Sequence, residues 1–181
     1  MRPARKFFLA AVAACTASCA TPPQPTQATP DWQLFRSRTA RHAANFPGPV
    51  QERPRETRTA AGTTNYTYFQ EATVGGRYFG TTWTQLPLAT GDSQAPGVVL
   101  EAASARALQA TGGALLTTRK VVQDGIEGRQ YVIDQPKDRM RVRQQIYVVG
   151  DRLVDQTYHG PAGTETDADA ERFFASLALL P

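Results

Sequence analysis

The stretch that decides the fold runs from residue 139 to residue 159 and reads RMRVRQQIYVV, GD and RLVDQTYH. Successive side chains of a β-strand point to opposite faces, so the first run has an apolar face and a basic face. The apolar face holds Met140, Val142, Ile146 and Val148, and the basic face holds Arg139, Arg141 and Arg143. Only Gly150 and Asp151 separate the two strand-like runs, which is typical of a tight two-residue turn. The stretch therefore predicts a β-hairpin.

A helix with one apolar side follows the hairpin. Its apolar residues recur at the spacing of a helix face, and they are Ala170, Phe173, Phe174 and Leu177. Thr166 stands at the expected N-cap position, three residues before Asp169. Such a helix needs an apolar surface to cover, so we expect it to pack on the sheet that contains the hairpin.

Further strands and one further helix are predicted upstream. The strands span residues 39–46, 50–59, 63–71, 77–86, 115–123 and 130–134, and the helix spans residues 98–111. Pro54 and the charges around it place the second strand at an edge of the sheet. The segment from Trp32 to Phe35 predicts either a short lead-in helix or aromatic packing on the domain's edge.

The order strands, helix, strands, helix predicts an α+β fold with a mainly antiparallel central sheet. The two main helices could share one face of this sheet or cover opposite faces. The second arrangement, an α/β/α sandwich, buries both faces and is the one that we favour.

The N-terminal residues predict export and lipid attachment. A basic segment, residues 1–6, precedes an apolar run, residues 7–14, that is too short to span a bilayer. The segment from Val12 to Cys15 reads VAAC and resembles a bacterial lipobox, in which the cysteine is diacylated. The segment from Thr16 to Cys19, TASC, is the alternative lipidation site. An ordinary cleaved signal peptide on a secreted soluble protein is the next interpretation, and no export is the last.

The leader and the composition behind it define the domain organisation. Residues 1–18 read as a lipoprotein signal peptide with cleavage before Cys15 or Cys19, residues 19–38 as a tether and lead-in, and residues 39–181 as the domain. Both cysteines lie in the leader, so we expect neither a disulfide nor a thiol nucleophile in the domain. We expect a protein anchored by lipid (palmitate among its acyl chains) in the bacterial cell envelope and facing the periplasm. Neither cysteine is followed by Asp, which slightly favours the outer membrane.

The formal net charge of +4 does not predict a nucleic-acid partner. Arg2, Arg5 and Lys6 lie in the leader, and removing them from the 20 basic residues leaves 17 against 16 acidic residues. A surface with this balance has little general attraction for polyanions. We therefore expect no nucleic acid among the partners.

The order of these features resembles the PsbP-like superfamily, in particular its bacterial DcrB-like lipoproteins. The resemblance covers residues 39–179 and lies in pattern and order. It is carried by FPGP at 46–49 before a polar strand, the aromatic strand pair from Tyr66 to Trp83, the turn from Gly125 to Arg129, the hairpin and the terminal helix. It implies an α/β/α sandwich that serves as an interaction or assembly module, and it gives no catalytic residue to carry over.

The sequence does not assemble a catalytic or metal-binding set. His42 and His159 each lie on a predicted strand or strand end, and a packed or surface histidine is the better interpretation for both. The acids at 165, 167, 169 and 171 alternate as calcium ligands could, but the glycine and the distal Glu of an EF-hand are missing, and capping of the helix explains them. No serine past the lead-in stands in a nucleophile elbow. We predict no enzyme, no metal and no cofactor.

Two features remain as candidate binding surfaces. The basic strip of Arg139, Arg141 and Arg143 could meet an acidic partner, lipid headgroups or a glycan, or it could be a solvated face paired with acids such as Asp155. Aromatic residues on the strand pair could line an apolar groove or form core beneath a helix, and they are Tyr66, Tyr68, Phe79 and Trp83.

The predicted function is that of a lipid-anchored envelope protein with a non-catalytic interaction or assembly domain and a protein partner. The alternative is a carrier or sensor of a small apolar or lipid ligand, and a hydrolase with unrecognised catalytic residues is third. Protein binding predicts a contiguous exposed patch, whereas ligand carriage predicts a closed apolar pocket.

Overall fold

The structure is a computed structural model, and it describes residues 31–37, 41–58, 64–86 and 95–180. The predicted signal peptide with Cys15 and Cys19, and the tether as far as residue 30, lie outside the described residues. Lipid attachment therefore stays a prediction.

The described strands form one large and one small sheet, and every described strand pair is antiparallel. In chain order the strands are β1 (Gln33–Ser37), β2 (His42–Phe46), β3 (Gln51–Arg58), β4 (Thr64–Val74), β5 (Arg77–Gln85), β6 (Ala114–Gln123), β7 (Ile126–Gln135), β8 (Met140–Val149), β9 (Arg152–Pro161) and β10 (Ala178–Leu179). The large sheet has the order β3-β4-β5-β9-β8-β7-β6, and the small one has the order β1-β2-β10. Two helices complete the fold, α1 (Pro96–Thr111) and α2 (Ala168–Ala175). The predicted α+β fold with a mainly antiparallel sheet is confirmed.

The predicted hairpin occupies the middle of the large sheet. Val149 lies opposite Arg152, so the turn consists of Gly150 and Asp151. Gly150 has a φ of 60°, a left-handed conformation that glycine adopts without steric cost. β9 then pairs with β5 on its other side, which makes the hairpin the centre of seven strands.

One face of the large sheet, called here the α2 face, is covered by α2 together with the small sheet. The four residues of the predicted helical stripe, 170, 173, 174 and 177, are all buried. The ring of Phe173 meets Phe46 of β2 at 5.3 Å and Phe79 of β5 at 5.4 Å between centroids. The helix and the small sheet thus share one aromatic core with the large sheet.

The opposite face, called here the α1 face, is partly covered by α1. Leu100 is buried against Tyr131 of β7 and Ile146 of β8. The Tyr131 hydroxyl also donates a hydrogen bond to the Leu100 carbonyl at 3.2 Å. The helix begins at Pro96 and ends at Thr111, and it is capped by Gly112, whose φ of 60° and backbone bond to the Leu108 carbonyl are typical of a helix C-terminus.

Two details differ from the sequence predictions, and one prediction with two alternatives is decided. Residues around Trp32 form strand β1 and no lead-in helix, and the rings of Trp32 and Phe35 pack on the core, as the other alternative predicted. The N-cap of α2 is Asp167 and not Thr166, since the Asp167 carboxylate accepts the hydrogen bond of the Ala170 N–H at 2.9 Å. A sandwich made of two helices around a sheet is too simple a description, because the small sheet shares the α2 face and α1 contacts chiefly β7 and β8.

A row of polar side chains crosses the α2 face and divides its core. The members are cross-strand neighbours on all seven strands, and they are Glu52, Gln70, Thr81, Gln156, Gln145, Gln130 and Arg119. One apolar cluster, with Phe79 and Phe173, lies on one side of the row, and another, with Tyr147 and Leu177, lies on the other. The row is hydrogen-bonded internally and to α2, for example from Gln156 Nε2 to the Phe173 carbonyl at 2.7 Å. This bonding offsets much of the cost of burying amides in a core, and Gln156 Oε1 is left without a hydrogen-bond partner among the described residues.

Within the described ranges, neither helix is long and apolar enough to cross a membrane.

Candidate functional site

The three arginines of the predicted basic strip do not form an exposed strip. Arg139 is exposed in the turn before β8, where its φ of 54° leaves it outside the strand. Arg141 is half-buried and pairs with Asp134 at 3.2 Å and with Glu165 at 2.5 Å. Arg143 is only 3% exposed. The idea of a solvated face is therefore wrong for Arg143, because the basic face of β8 is the face that α2 covers. A role of the three residues in partner binding stays a prediction, and of the three Arg139 is the one with an exposed side chain.

The guanidinium group of Arg143 makes several hydrogen bonds and one aromatic contact beneath α2. Its Nη1 donates to Glu171 at 2.5 Å and to the Glu165 carbonyl at 3.0 Å, and its Nε donates to Gln130 Oε1 at 3.1 Å. The guanidinium carbon lies 4.2 Å from the centre of the Phe174 ring, within cation–π range. The side chain thus joins β8 to α2 and to the segment before it.

The acidic run before and within α2 binds arginines of the sheet. Arg77 forms ion pairs with Asp167 at 2.9 Å and with Asp169 at 2.6 Å. Glu165 pairs with Arg141, and Glu171 pairs with Arg143. Burial disfavours the charged form of Glu165, but hydrogen bonds from Arg141 and from backbone N–H groups outweigh it and hold its pKa below the ordinary value. All four acids therefore fix α2 on the sheet. In the described part of the chain, no three His, Cys, Asp or Glu side chains are grouped as metal ligands.

One amide oxygen near the β6 edge collects three hydrogen bonds. Gln130 Oε1 accepts from Arg119 Nη2 at 3.0 Å, from Arg143 Nε at 3.1 Å and from Gln145 Nε2 at 3.0 Å. Gln145 in turn accepts from the Tyr147 hydroxyl at 2.7 Å. Burial raises the pKa of this Tyr147 hydroxyl to about 12. Donors from β6 and β8 thus converge on Gln130 of β7, at the open end of the polar row.

A groove of about 340 Å³ opens above these donors, between α2 and the end of the sheet. Its lining is mixed, with charged, amide and apolar side chains. On the sheet side lie Arg119, Val121, Gln123, Arg143, Gln145 and Tyr147, and on the helix side lie Glu171, Phe174 and Ala175. The groove continues outward onto β6, the last strand of the sheet.

β6 is a long strand with an unpaired edge among the described strands. It exposes three large apolar side chains: Leu115 is 46% exposed, Leu116 is 48% exposed and Val122 is 68% exposed. The edge at the other end of the sheet, β3, reads QERPRETR and so carries charges and a proline that cannot donate a hydrogen bond. β6 has a bulge at Leu116, but the strand is regular from Thr117 to Gln123. The sequence analysis did not predict this surface, because the alternation of side chains along a strand does not indicate whether the strand lies at the centre or at the edge of the sheet.

The two histidines are buried or half-buried in the fold, as predicted, and of the four aromatic residues of the predicted groove Phe79 is fully in the core. Trp83 stacks on Tyr68 at 4.8 Å between centroids, with its other contacts in the second apolar cluster. His42 is buried on the α2 face with its Nε2 2.9 Å from Thr81 Oγ1. His159 lies opposite Val142, on the α1 face, so the two histidines are on different sides of the large sheet.

Asp155, which the sequence offered as a partner of the basic strip, lies on the α1 face. It accepts hydrogen bonds from Thr157 Oγ1 at 2.6 Å and from Gln144 Nε2. Burial nevertheless raises the pKa of Asp155 to about 6, against an ordinary value near 4. The oxygen Gln144 Oε1 is buried and finds no hydrogen-bond partner among the described residues.

Replacing Asp155 with asparagine should stabilise the protein above pH 6 and leave it unchanged near pH 4. The unfolded carboxyl ionises near pH 4 and the folded one near pH 6, so the native protein loses stability across this interval and the variant does not. The new side-chain amide could also donate a hydrogen bond to a flipped Gln144. We expect a gain of about 1–3 kcal/mol at pH 7. Urea unfolding at several pH values checks this, with the exposed Glu56→Gln as control; a difference that does not vary with pH would refute the assignment.

Comparisons with known proteins bear on the fold. No family model matches the chain, and no curated protein matches it significantly either. Among solved structures, the cyanobacterial PsbP of Synechocystis sp. PCC 6803 is similar with a TM-score of 0.52 and 9% identity, covering 91% of this chain and 98% of that one. A Pseudomonas aeruginosa protein of unknown function has a TM-score of 0.38 and 11% identity over 74% of this chain and 85% of its own, and this score is too low to indicate a shared fold. At these identities the likeness concerns structure alone: the chain has an α+β, PsbP-like fold.

Proposed function

We propose that this protein is a lipid-anchored component of the bacterial cell envelope whose periplasmic domain binds another protein as a non-catalytic assembly module. Within the PsbP-like superfamily we place it in the DcrB-like lipoprotein branch, with the α/β/α sandwich as its basic plan. The observation that carries the proposal is the contrast between the two edges of the large sheet. β3 has charges and Pro54, which discourage strand pairing, whereas β6 exposes apolar side chains beside a groove.

Protein binding fits this surface better than carriage of an apolar ligand does. A carrier needs an enclosed pocket with mostly apolar walls. The groove beside β6 is open, and Arg119, Arg143 and Glu171 are among its lining residues. Exposed apolar side chains with polar neighbours are the usual composition of a protein-binding surface, and β6 presents Val122 beside the groove and Leu115 and Leu116 at its other end.

The anchor rests on the leader. The segment from Val12 to Cys15 supplies an acylation site, with Cys19 as the alternative, and the Pro-rich segment behind them supplies a spacer. Two acyl chains hold a protein on a membrane far more firmly than one. The outer membrane is the slightly favoured location.

The test uses the full chain, expressed with its leader in bacterial cells, with a photo-crosslinking amino acid at Val122 on β6 or at Arg55 on β3. The proposal expects a lipid-modified Cys15 or Cys19 at the mature N-terminus by mass spectrometry. It also expects one discrete cross-linked protein from position 122 and none from the matched edge position 55. An unmodified N-terminus at Ala20 or later would remove the anchor, and equal labelling from both edges would remove the binding surface.

A further inference from the structure

We propose that the partner contributes an extended segment that adds to β6 as an eighth strand, and that this segment alternates acidic and apolar side chains. The inference rests on the proposed function and specifies its chemistry. The acidic side chains of the segment lie on the groove side and pair with Arg119. Its apolar side chains lie on the opposite side, against Val122.

The backbone of β6 is suited to strand addition. Seven consecutive residues, from Thr117 to Gln123, pair with β7 in one uninterrupted register. Alternate backbone N–H and C=O groups of such a strand point away from its neighbour. No described strand pairs with this outer edge. A stretch of this length offers about 20 Å of open ladder, enough for a typical added strand.

The charges of β6 indicate an acidic partner. Lys120, on the α1 face, already pairs with Glu127 at 3.0 Å. Arg119, on the groove side, donates to the neutral Gln130, and none of the described carboxylates lies within ion-pair distance of it. Arg119 is exposed, so a carboxylate can reach it without opening the core.

Moving Arg119 toward a ligand would leave Gln130 satisfied. The Gln130 oxygen keeps its bonds from Arg143 and Gln145 when Arg119 leaves. A carboxylate would replace a neutral acceptor with a charged one, which adds the attraction between opposite charges to a hydrogen bond that the guanidinium already donates. Arg119 can thus pair with an acidic side chain at the groove without leaving Gln130 unsatisfied.

The exposed apolar residue on the α1-face side of β6 indicates that the partner segment has apolar side chains on that side. Val122 is on the same side of β6 as Lys120, and it is the most exposed large apolar residue of the described chain. A strand laid along β6 places every second side chain over this side. Apolar residues there would bury Val122, whereas acids there would face Lys120, which Glu127 already neutralises.

Two other occupants fit the edge less well. The chain's own tether, residues 20–30, contains four prolines and no acid, so it can neither complete the ladder nor pair with Arg119. A second copy pairing antiparallel through the middle of β6 would bring Arg119 and Lys120 of both copies together. Like charges across a strand pair are destabilising.

The experiment uses the full lipidated chain in nanodiscs and three fluorescent peptides as probes. The first peptide reads Thr-Glu-Val-Glu-Val-Glu-Thr, the second has Lys in place of Glu, and the third repeats the first with N-methylated backbone amides at alternate residues. By fluorescence anisotropy we expect the acidic peptide to bind roughly tenfold tighter than the basic one, with the difference shrinking in high salt. The N-methylated peptide should lose binding, because it keeps the charges but lacks the ladder donors.

Matched variants locate the site. Arg119→Lys should keep the preference for the acidic peptide, Arg119→Gln should abolish it and Arg119→Glu should reverse it, while all three melt like the parent. Equal binding of acidic and basic peptides, no binding of either, or a β6-dependent dimer would overturn this inference. If position 122 still cross-links one protein in cells in that case, the proposed function stands without it. Absence of that cross-link would instead refute the proposed function.

Discussion

Replacing Phe173 with alanine is expected to lower the free energy of unfolding by about 3–5 kcal/mol, the usual cost of deleting a buried aromatic ring. The side chain is fully buried where α2, β2 and β5 meet. Its ring makes edge contacts with Phe46, Phe79 and Phe174, with 5.3 to 5.5 Å between ring centroids. The substitution therefore leaves a cavity and removes three aromatic pairs. A loss of this size is a large share of the stability of an ordinary domain.

Urea unfolding of the two proteins measures the effect. Phe173→Leu is the matched control, because it keeps most of the apolar volume and should cost less than half as much. If the alanine variant unfolds at the same urea concentration as the parent, α2 does not close the core and the layer assignment fails.

Replacing Arg143 with glutamine should destabilise the protein by about 2–4 kcal/mol. The change removes the hydrogen bonds to Glu171 and to the Glu165 carbonyl and takes away the cation over Phe174. Breaking a buried ion pair by removing one partner costs about 3–5 kcal/mol when the other charge stays buried. Glu171 is more than half exposed and can return to water, so the expected loss is somewhat smaller.

The matched control is Arg139→Gln, the same chemical change four residues earlier on an exposed side chain. It should alter the free energy of unfolding by less than about 0.5 kcal/mol. Thermal or urea melts of both variants decide the question. Similar losses of unfolding free energy in the two variants would mean that Arg139 and Arg143 do not differ in burial. That result would favour the interpretation of the basic strip as a solvated face.

Local pattern sufficed to predict the elements that carry most of the fold. Alternation at 140–149 indicated a strand, Gly150 and Asp151 marked its turn, and the spacing of Ala170, Phe173 and Phe174 marked the helix. These signals are reliable because each depends only on a period of two or 3.6 residues within one segment. In the small sheet, β2 was predicted as the strand at 39–46, but β10 was not, since a two-residue strand has no period to detect.

The candidate site depended on information that no single segment holds. Alternation grouped Arg141 and Arg143 correctly on one face of β8, but α2 then covered that face and turned a supposed surface into a junction. The exposed edge at Val122 likewise follows from the order of seven strands.

By itself, the sequence determined which residues form strands and helices and which side chains share a face, because those properties arise from backbone periodicity along the chain. Only the tertiary structure decided which face is covered, which strand lies at an edge and which arginine lies beside a carboxylate. Those outcomes depend on long-range pairing, in which β5 meets β9 and the acids before α2 reach across to the sheet. The residues next to an arginine along the chain do not indicate which distant residues it will contact. Arg119 and Arg143 therefore cannot be told apart from the sequence, although Arg119 is exposed to solvent and Arg143 is buried.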